Sequence, residues 1–220
     1  MQPDLLGGSV GRCSYESNLI AAADASCMYS IGDTRVLCSL YGPMDCKFRH
    51  TRTSALKFDI TIRTPSGVPS AAEQHIENIA TDVCQRLISV DNYPHLQLGV
   101  SIEIISDDGS LLSAILNSFV IAAIDLGMLH RSIALSVSCC LSFTGIDSFP
   151  TSQAESASLC TMTQLVCLST GMVLYCSQTK SCSLANLGQL STFCQDAAKA
   201  LESHLLVKHA DMTGNTSDSW

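Results

Sequence analysis

The chain has little charge for its size. Only 15% of its 220 residues are Asp, Glu, Lys or Arg, against 46% hydrophobic residues. It has no basic excess: 12 Lys and Arg stand against 20 Asp and Glu, a net charge of −8 at pH 7. A free-standing nucleic-acid binder draws most of its affinity from neutralising phosphates and normally shows a basic surface. That class is excluded unless the few basic residues cluster. Closely spaced cysteine pairs are also missing: there are twelve cysteines but no C-x-x-C, and the six histidines are scattered, which argues against a zinc site. No basic-then-apolar segment opens MQPDLLGGSV, so no secretory leader is expected. Cysteines in apolar surroundings, such as Cys38, Cys139, Cys140, Cys167 and Cys194, read as free buried thiols of a reducing compartment. The Asn215-Thr216-Ser217 sequon is then idle. No linker interrupts the alternation of elements.

What the chain does have is apolar sequence, concentrated in Ser106 to Gly127, SDDGSLLSAILNSFVIAAIDLG. A helix apolar on nearly every side belongs inside a protein. The run is about long enough to cross a bilayer. Asn117, Asp125 and the flanking acids make that costly, so a soluble domain without membrane contact is expected. Asp107, Asp108 and Ser110 supply helix-start chemistry, their side chains offering acceptors to the first free N–H groups. Gly127 sits where a C′ glycine ends a helix.

In chain order, residues 1–11 form a glycine-rich, flexible entry. Residues 25–42 read as a hairpin turning at Gly32-Asp33 and ending at Tyr41-Gly42-Pro43. Residues 44–54 hold the densest basic patch. Leu56 to Arg63 alternates as a strand, as does Leu96 to Ser106. Residues 70–90 carry Ile76, Ile79, Val83 and Leu87 at helical spacing. Ser132 to Phe143 reads as a strand covered on both faces. Residues 144–156 read as a loop holding Asp147 and Glu155. A hairpin turns at Thr170-Gly171. A second amphipathic helix spans 185–207, and residues 209–220 read as a flexible tail. One α/β domain follows.

Two strings carry a resemblance. GDTRVLCSLYGP resembles the G-x-T-x-V-x-x-x-x-x-G-P segment of the RNase PH superfamily, and IEIISDDGSLLSAILNSFVIAAIDLGM its strand–turn–helix segment. Gly-Ser-Leu-Leu is most similar to one branch, a eukaryotic RNA exosome ring subunit. The resemblance implies an RNase PH-like fold (ribosomal protein S5 domain 2-like) over residues 12–208, with mixed sheets packed against amphipathic and buried helices.

The family's enzymes cleave RNA by phosphorolysis, with the phosphate held at the start of the central helix by a segment like D-G-G-T-R-T-A-S-I. On that pattern Ser110 stands at the threonine and Leu111 at the arginine, so the guanidinium is lost. The family's glutamate falls on Glu155, and its two aspartates fall on Ser156 and Met162, so both carboxylates are lost. The resemblance therefore implies a non-catalytic ring subunit that assembles with other RNase PH-like subunits and RNA-binding cap subunits. Such a subunit threads RNA for ribosomal-RNA processing and messenger-RNA decay in nucleus, nucleolus and cytoplasm, with no cofactor. Arg49, Arg52, Lys57 and Arg63 are its candidate RNA contacts. An alternative is a homodimeric, Mg2+-dependent hydrolase of DNA in apoptosis using Asp147 and Glu155. A third is a phosphorolytic exoribonuclease with a rearranged site.

Overall fold

The computed structural model describes residues 10–45, 55–64, 71–128, 131–143 and 145–214. Its first sheet contains β1 (Cys13–Ser17), β2 (Ala25–Ile31), β3 (Thr34–Asp45), β4 (Lys57–Arg63) and β5 (Leu96–Ser106), in the order β1-β2-β3-β5-β4. Only the β4–β5 pair is parallel, and α1 (Ala71–Leu87) makes the crossover between them. The second, antiparallel sheet has β6 (Ala134–Leu141), β7 (Ile146–Ser148), β8 (Cys160–Cys167) and β9 (Val173–Thr179), in the order β7-β6-β8-β9. The remaining helices are α2 (Leu111–Asp125), the short α3 (Ser152–Ala157) and α4 (Leu184–Gly214).

The alternation read in the sequence sets the layers. Leu98, Val100, Ile102 and Ile104 of β5 are all buried, and parallel pairing puts Phe58, Ile60 and Ile62 of β4 on the same face. Against that inner face lie α1, over β4, and α2, over β2 and β3. The opposite face of α2 meets β6 and β8, and α4 covers the far side of that second sheet. Thus α2 is buried from Ser113 to Ala123, and β6 is buried over seven of its eight residues. Among the described residues no helix is long and apolar enough to cross a membrane.

The Gly32-Asp33 hairpin forms with Ile31 opposite Thr34, Gly32 taking a positive φ of 57°. The helix α2 ends in a Schellman motif. The Met128 N–H reaches the Ala123 carbonyl at 3.4 Å and the Gly127 N–H that of Ile124 at 2.9 Å, with Gly127 at φ 73°.

Several expectations need correcting. β3 runs past Tyr41 to Asp45 through an irregularity between Tyr41 and Met44. The loop read over 144–156 contains strand β7 and helix α3, so Asp147 is a strand residue and Glu155 a helical one. Val10, assigned to a flexible entry, is buried in the core. The boundary placed at residue 209 falls inside α4, which continues to Gly214. Residues 1–9 and 215–220 lie outside the described residues.

All eleven described cysteines are free, and nine of them are buried. Burial holds several as thiols: Cys27, Cys84 and Cys139 are pushed well up, and Cys38 is raised to about 12.

Asn117 explains why one amide sits in an apolar helix. Among the described residues β7 pairs with β6 only over residues 139–141, which leaves Ser136 without a strand on that edge. The Asn117 amide takes the missing strand's place: Oδ1 accepts from the Ser136 N–H at 2.7 Å and Nδ2 donates to the Ser136 carbonyl at 2.9 Å. Beside it, the hydroxyls of Ser113, Ser136, Ser138 and Thr163 link α2 to β6 and β8.

Candidate functional site

The turn from β5 into α2 is held at every residue. Thr34, fully buried, donates its hydroxyl to the Gly109 carbonyl at 2.7 Å and accepts from the Asp108 N–H at 2.8 Å. The threonine of the first string thus locks the turn of the second, a link their sequence separation conceals. Gly109 has φ 99°, and a Cβ there would lie 2.6 Å from the Pro150 carbonyl oxygen and from the Ser152 nitrogen. Only glycine lets the 150–152 backbone pass so close. That backbone is itself tied down: the Ser152 N–H donates to the Asp108 carbonyl at 2.7 Å, and Arg12 donates to the Phe149 carbonyl at 3.1 Å.

The expected side-chain caps do not form. Ser110 sits at the N-cap with a left-handed backbone (φ 55°, ψ 25°), and its hydroxyl donates to the Pro150 carbonyl at 2.9 Å instead of accepting from the helix. Asp107 accepts from the Gly109 N–H at 3.0 Å, inside the turn. The carboxylate that does reach the helix start is Glu155: its Oε1 lies 2.8 Å from the Ser110 nitrogen and accepts its N–H. Three effects act on Glu155. Its half-burial raises its pKa above the ordinary value, the Ser110 N–H pulls it back, and the nearby charges of Asp107 and Asp108 raise it further. The anion position at the start of α2 is therefore filled by the chain's own carboxylate.

Glu155 is presented there by α3. The Thr151 hydroxyl caps that helix, accepting from the Ala154 N–H at 3.4 Å. At its other end Lys180 donates to the carbonyls of Glu155, Ser156 and Ser158 at 3.1, 3.0 and 2.8 Å, placing a cation where helix carbonyls gather. No local sequence signal marks Lys180 for this role.

The other expected site residues scatter. Leu111 begins α2 as a half-buried apolar residue packed on the core. Ser156 turns its hydroxyl to the Ser152 carbonyl. Met162 is buried opposite Cys139, on the face of β8 it shares with Gln164, whose amide reaches Ser191 of α4. Asp147 is exposed across the strand from Cys140. After burial itself, its charge and that of Glu155 push the Cys140 thiol up. Among the described residues no group of three or more His, Cys, Asp or Glu is placed to hold a metal ion.

Of the four candidate RNA contacts, Arg49 and Arg52 lie outside the described residues. Lys57 and Arg63 are both exposed on the outer face of β4, six positions and roughly 20 Å apart. Arg63 lies 3.9 Å from Glu103, and Asp59 sits between the two cations on the same face. This face is mixed in sign rather than a basic stripe.

Residues 12–128 match the model of the 3′ exoribonuclease family, domain 1, known as RNase PH. The chain belongs to this family. RNase PH relatives include the exosome complex component rrp46 of Schizosaccharomyces pombe, 30% identical over 122 residues, which cover 55% of this chain and 54% of that protein. The exosome complex exonuclease RRP46 homolog of Arabidopsis thaliana is 28% identical over 128 residues, 58% and 54% of the two chains. The chain spans about half the length of the curated relatives it matches. The crystal structure of rice (Oryza sativa) Rrp46 shares the fold, with a TM-score of 0.81 at 17% identity over 86% of this chain and 90% of that one. The RNase PH-like fold expected from the two strings is the one observed.

Proposed function

We propose that the chain is a non-catalytic subunit of an RNA exosome ring. It would assemble with other RNase PH-like subunits, lie beneath RNA-binding cap subunits, and help thread RNA for 3′-to-5′ processing and decay in nucleus, nucleolus and cytoplasm. The names of the RRP46 relatives support the ring assignment. The absence of catalysis rests on one observation: Glu155 occupies the Ser110 N–H at the start of α2, with Asp107 and Asp108 close by. A dianionic phosphate brought there meets three carboxylates, and Leu111 supplies no cation to offset them. The reading needs no cofactor.

The test is a purified chain incubated with a short 3′-hydroxyl RNA in phosphate, followed by chromatography for nucleoside diphosphates. No release above a mock preparation is expected, whereas release of diphosphates overturns the reading. Adding Mg2+ and plasmid DNA tests the hydrolase alternative in the same preparation. Nicking that Glu155→Ala abolishes would favour that alternative.

A further inference from the structure

The opposite end of α2 opens onto a groove of about 560 Å³, bounded by β1, α2, the approach to β6, and α4. Its floor is apolar, formed by buried residues such as Val120 and Leu135. Its rim is apolar too, and wet: Ile124 is 44% exposed, Ile133 45% and Leu206 64%. Three exposed aliphatic side chains from three separate segments of the chain, facing one concavity, are a costly arrangement for a free surface and typical of a docking site. Among the described residues that line the groove, the charged ones are Asp125 and Glu202, both acidic.

We propose that this groove docks a basic amphipathic helix of a partner protein. Leucine-like side chains would lie on the floor, and Lys or Arg on the flanks would face Asp125 and Glu202. Charge complementarity selects a basic occupant, since the charged residues among the described lining are acidic and the whole chain has a net charge of −8. Backbone accounting selects a helix. An apolar groove offers few partners for peptide N–H and C=O groups, so an extended segment would bury them unpaired, whereas a helix pairs its own. The nearby edge of β1 is also engaged at one point, with His204 Nε2 lying 3.1 Å from the Cys13 carbonyl oxygen.

The probe is a synthetic, fluorescein-labelled helical peptide with leucines at every third and fourth position and lysines on the flanks. It is titrated into the full chain by fluorescence anisotropy. A control peptide carries glutamate in place of each lysine. The lysine peptide should bind about tenfold more tightly or better, a difference of about 1.4 kcal/mol. Leu206→Asp should weaken it by about tenfold or more, and Glu202→Lys should narrow or reverse the preference between peptides. Circular dichroism checks each variant's fold, and if Leu206→Asp fails to fold, the charge swap at Glu202 decides alone. The proposal is overturned by equal affinity for both peptides, by absence of binding, or by binding indifferent to Leu206→Asp in a folded variant. It is also overturned if deleting residues 1–9 raises the affinity tenfold, which would assign the groove to the chain's own N-terminus. Self-association lost in Leu206→Asp would assign it to a second copy and overturn it equally.

Discussion

Replacing Asn117 by alanine tests the internal logic of the fold most sharply. The substitution removes an acceptor 2.7 Å from the Ser136 nitrogen and a donor 2.9 Å from the Ser136 oxygen. Both backbone groups then face an edge of β6 that no strand of the described residues covers, in a residue that is fully buried. Each orphaned backbone group costs about 1–3 kcal/mol. The longer bond from Nδ2 to the Tyr29 hydroxyl, at 3.4 Å, adds little. The expected loss is about 2–5 kcal/mol, a large share of a typical domain's stability, or a Tm lower by roughly 5–20 °C for a chain of this length. Urea denaturation followed by far-ultraviolet circular dichroism gives the loss, and hydrogen exchange of the Ser136 amide locates it. Asn117→Asp is the informative companion. Its carboxylate still accepts from the Ser136 N–H but cannot donate to the carbonyl while ionised. Burial raises such a carboxyl's pKa, so this variant should regain stability as pH falls and the group takes up a proton. An alanine variant within about 1 kcal/mol of the parent, with Ser136 exchanging as slowly as before, would refute the idea that this side chain stands in for a strand.

Three further outcomes follow from the start of α2 and from the thiols. Gly109→Ala should cost roughly 2 kcal/mol or more in urea denaturation, because its Cβ meets backbone on both sides and its φ is positive; a neutral effect would mean that the 150–152 segment is not held against the turn. The raised pKa of Glu155 means that the folded chain keeps this proton more tightly than the unfolded one. Its stabilising contribution is therefore full below the ordinary value near 4.5 and lost as pH rises through the raised value. The stability difference between parent and Glu155→Gln should accordingly move in the parent's favour as pH falls, and a flat difference would contradict the assignment. Mass spectrometry after brief alkylation should find exposed Cys176 and half-buried Cys182 modified well before the nine buried cysteines. Cys167 should come first among those nine. Burial raises its pKa, but hydrogen bonds from Ser169 and Thr170 outweigh that and bring it to about 7.

The elements that were legible in the sequence are those whose burial repeats regularly. β5 was visible because Leu98, Val100, Ile102 and Ile104 point one way, and α2 because it is flanked by a turn and by Gly127. β7 and α3 were not: three strand residues and six helical ones, with no buried residue in α3, leave no period to read. The end of α4 was misplaced because its polar last turns break the amphipathic pattern that marks its beginning. At the site, the position of Ser110 and Leu111 followed from the resemblance of their string. The orientation of Ser110 did not, because its hydroxyl answers to Pro150, forty residues away. Glu155 read as a solvated loop acid for the same reason, and Thr34 and Lys180 act through contacts that only the folded chain creates.

The contact from Glu155 to Ser110 crosses the limit of the family match. Ser110 lies inside residues 12–128, and Glu155 lies beyond them, on a short helix with little of its own mass in the core. One of the groups that would oppose an anion at that helix start is thus supplied by a segment that can diverge with little penalty to the rest of the molecule. A lineage could add or remove that group by editing a few residues of α3, leaving the frame of the first half untouched. Likeness across that first half therefore reports on Leu111 and the two aspartates of the turn, but not on Glu155.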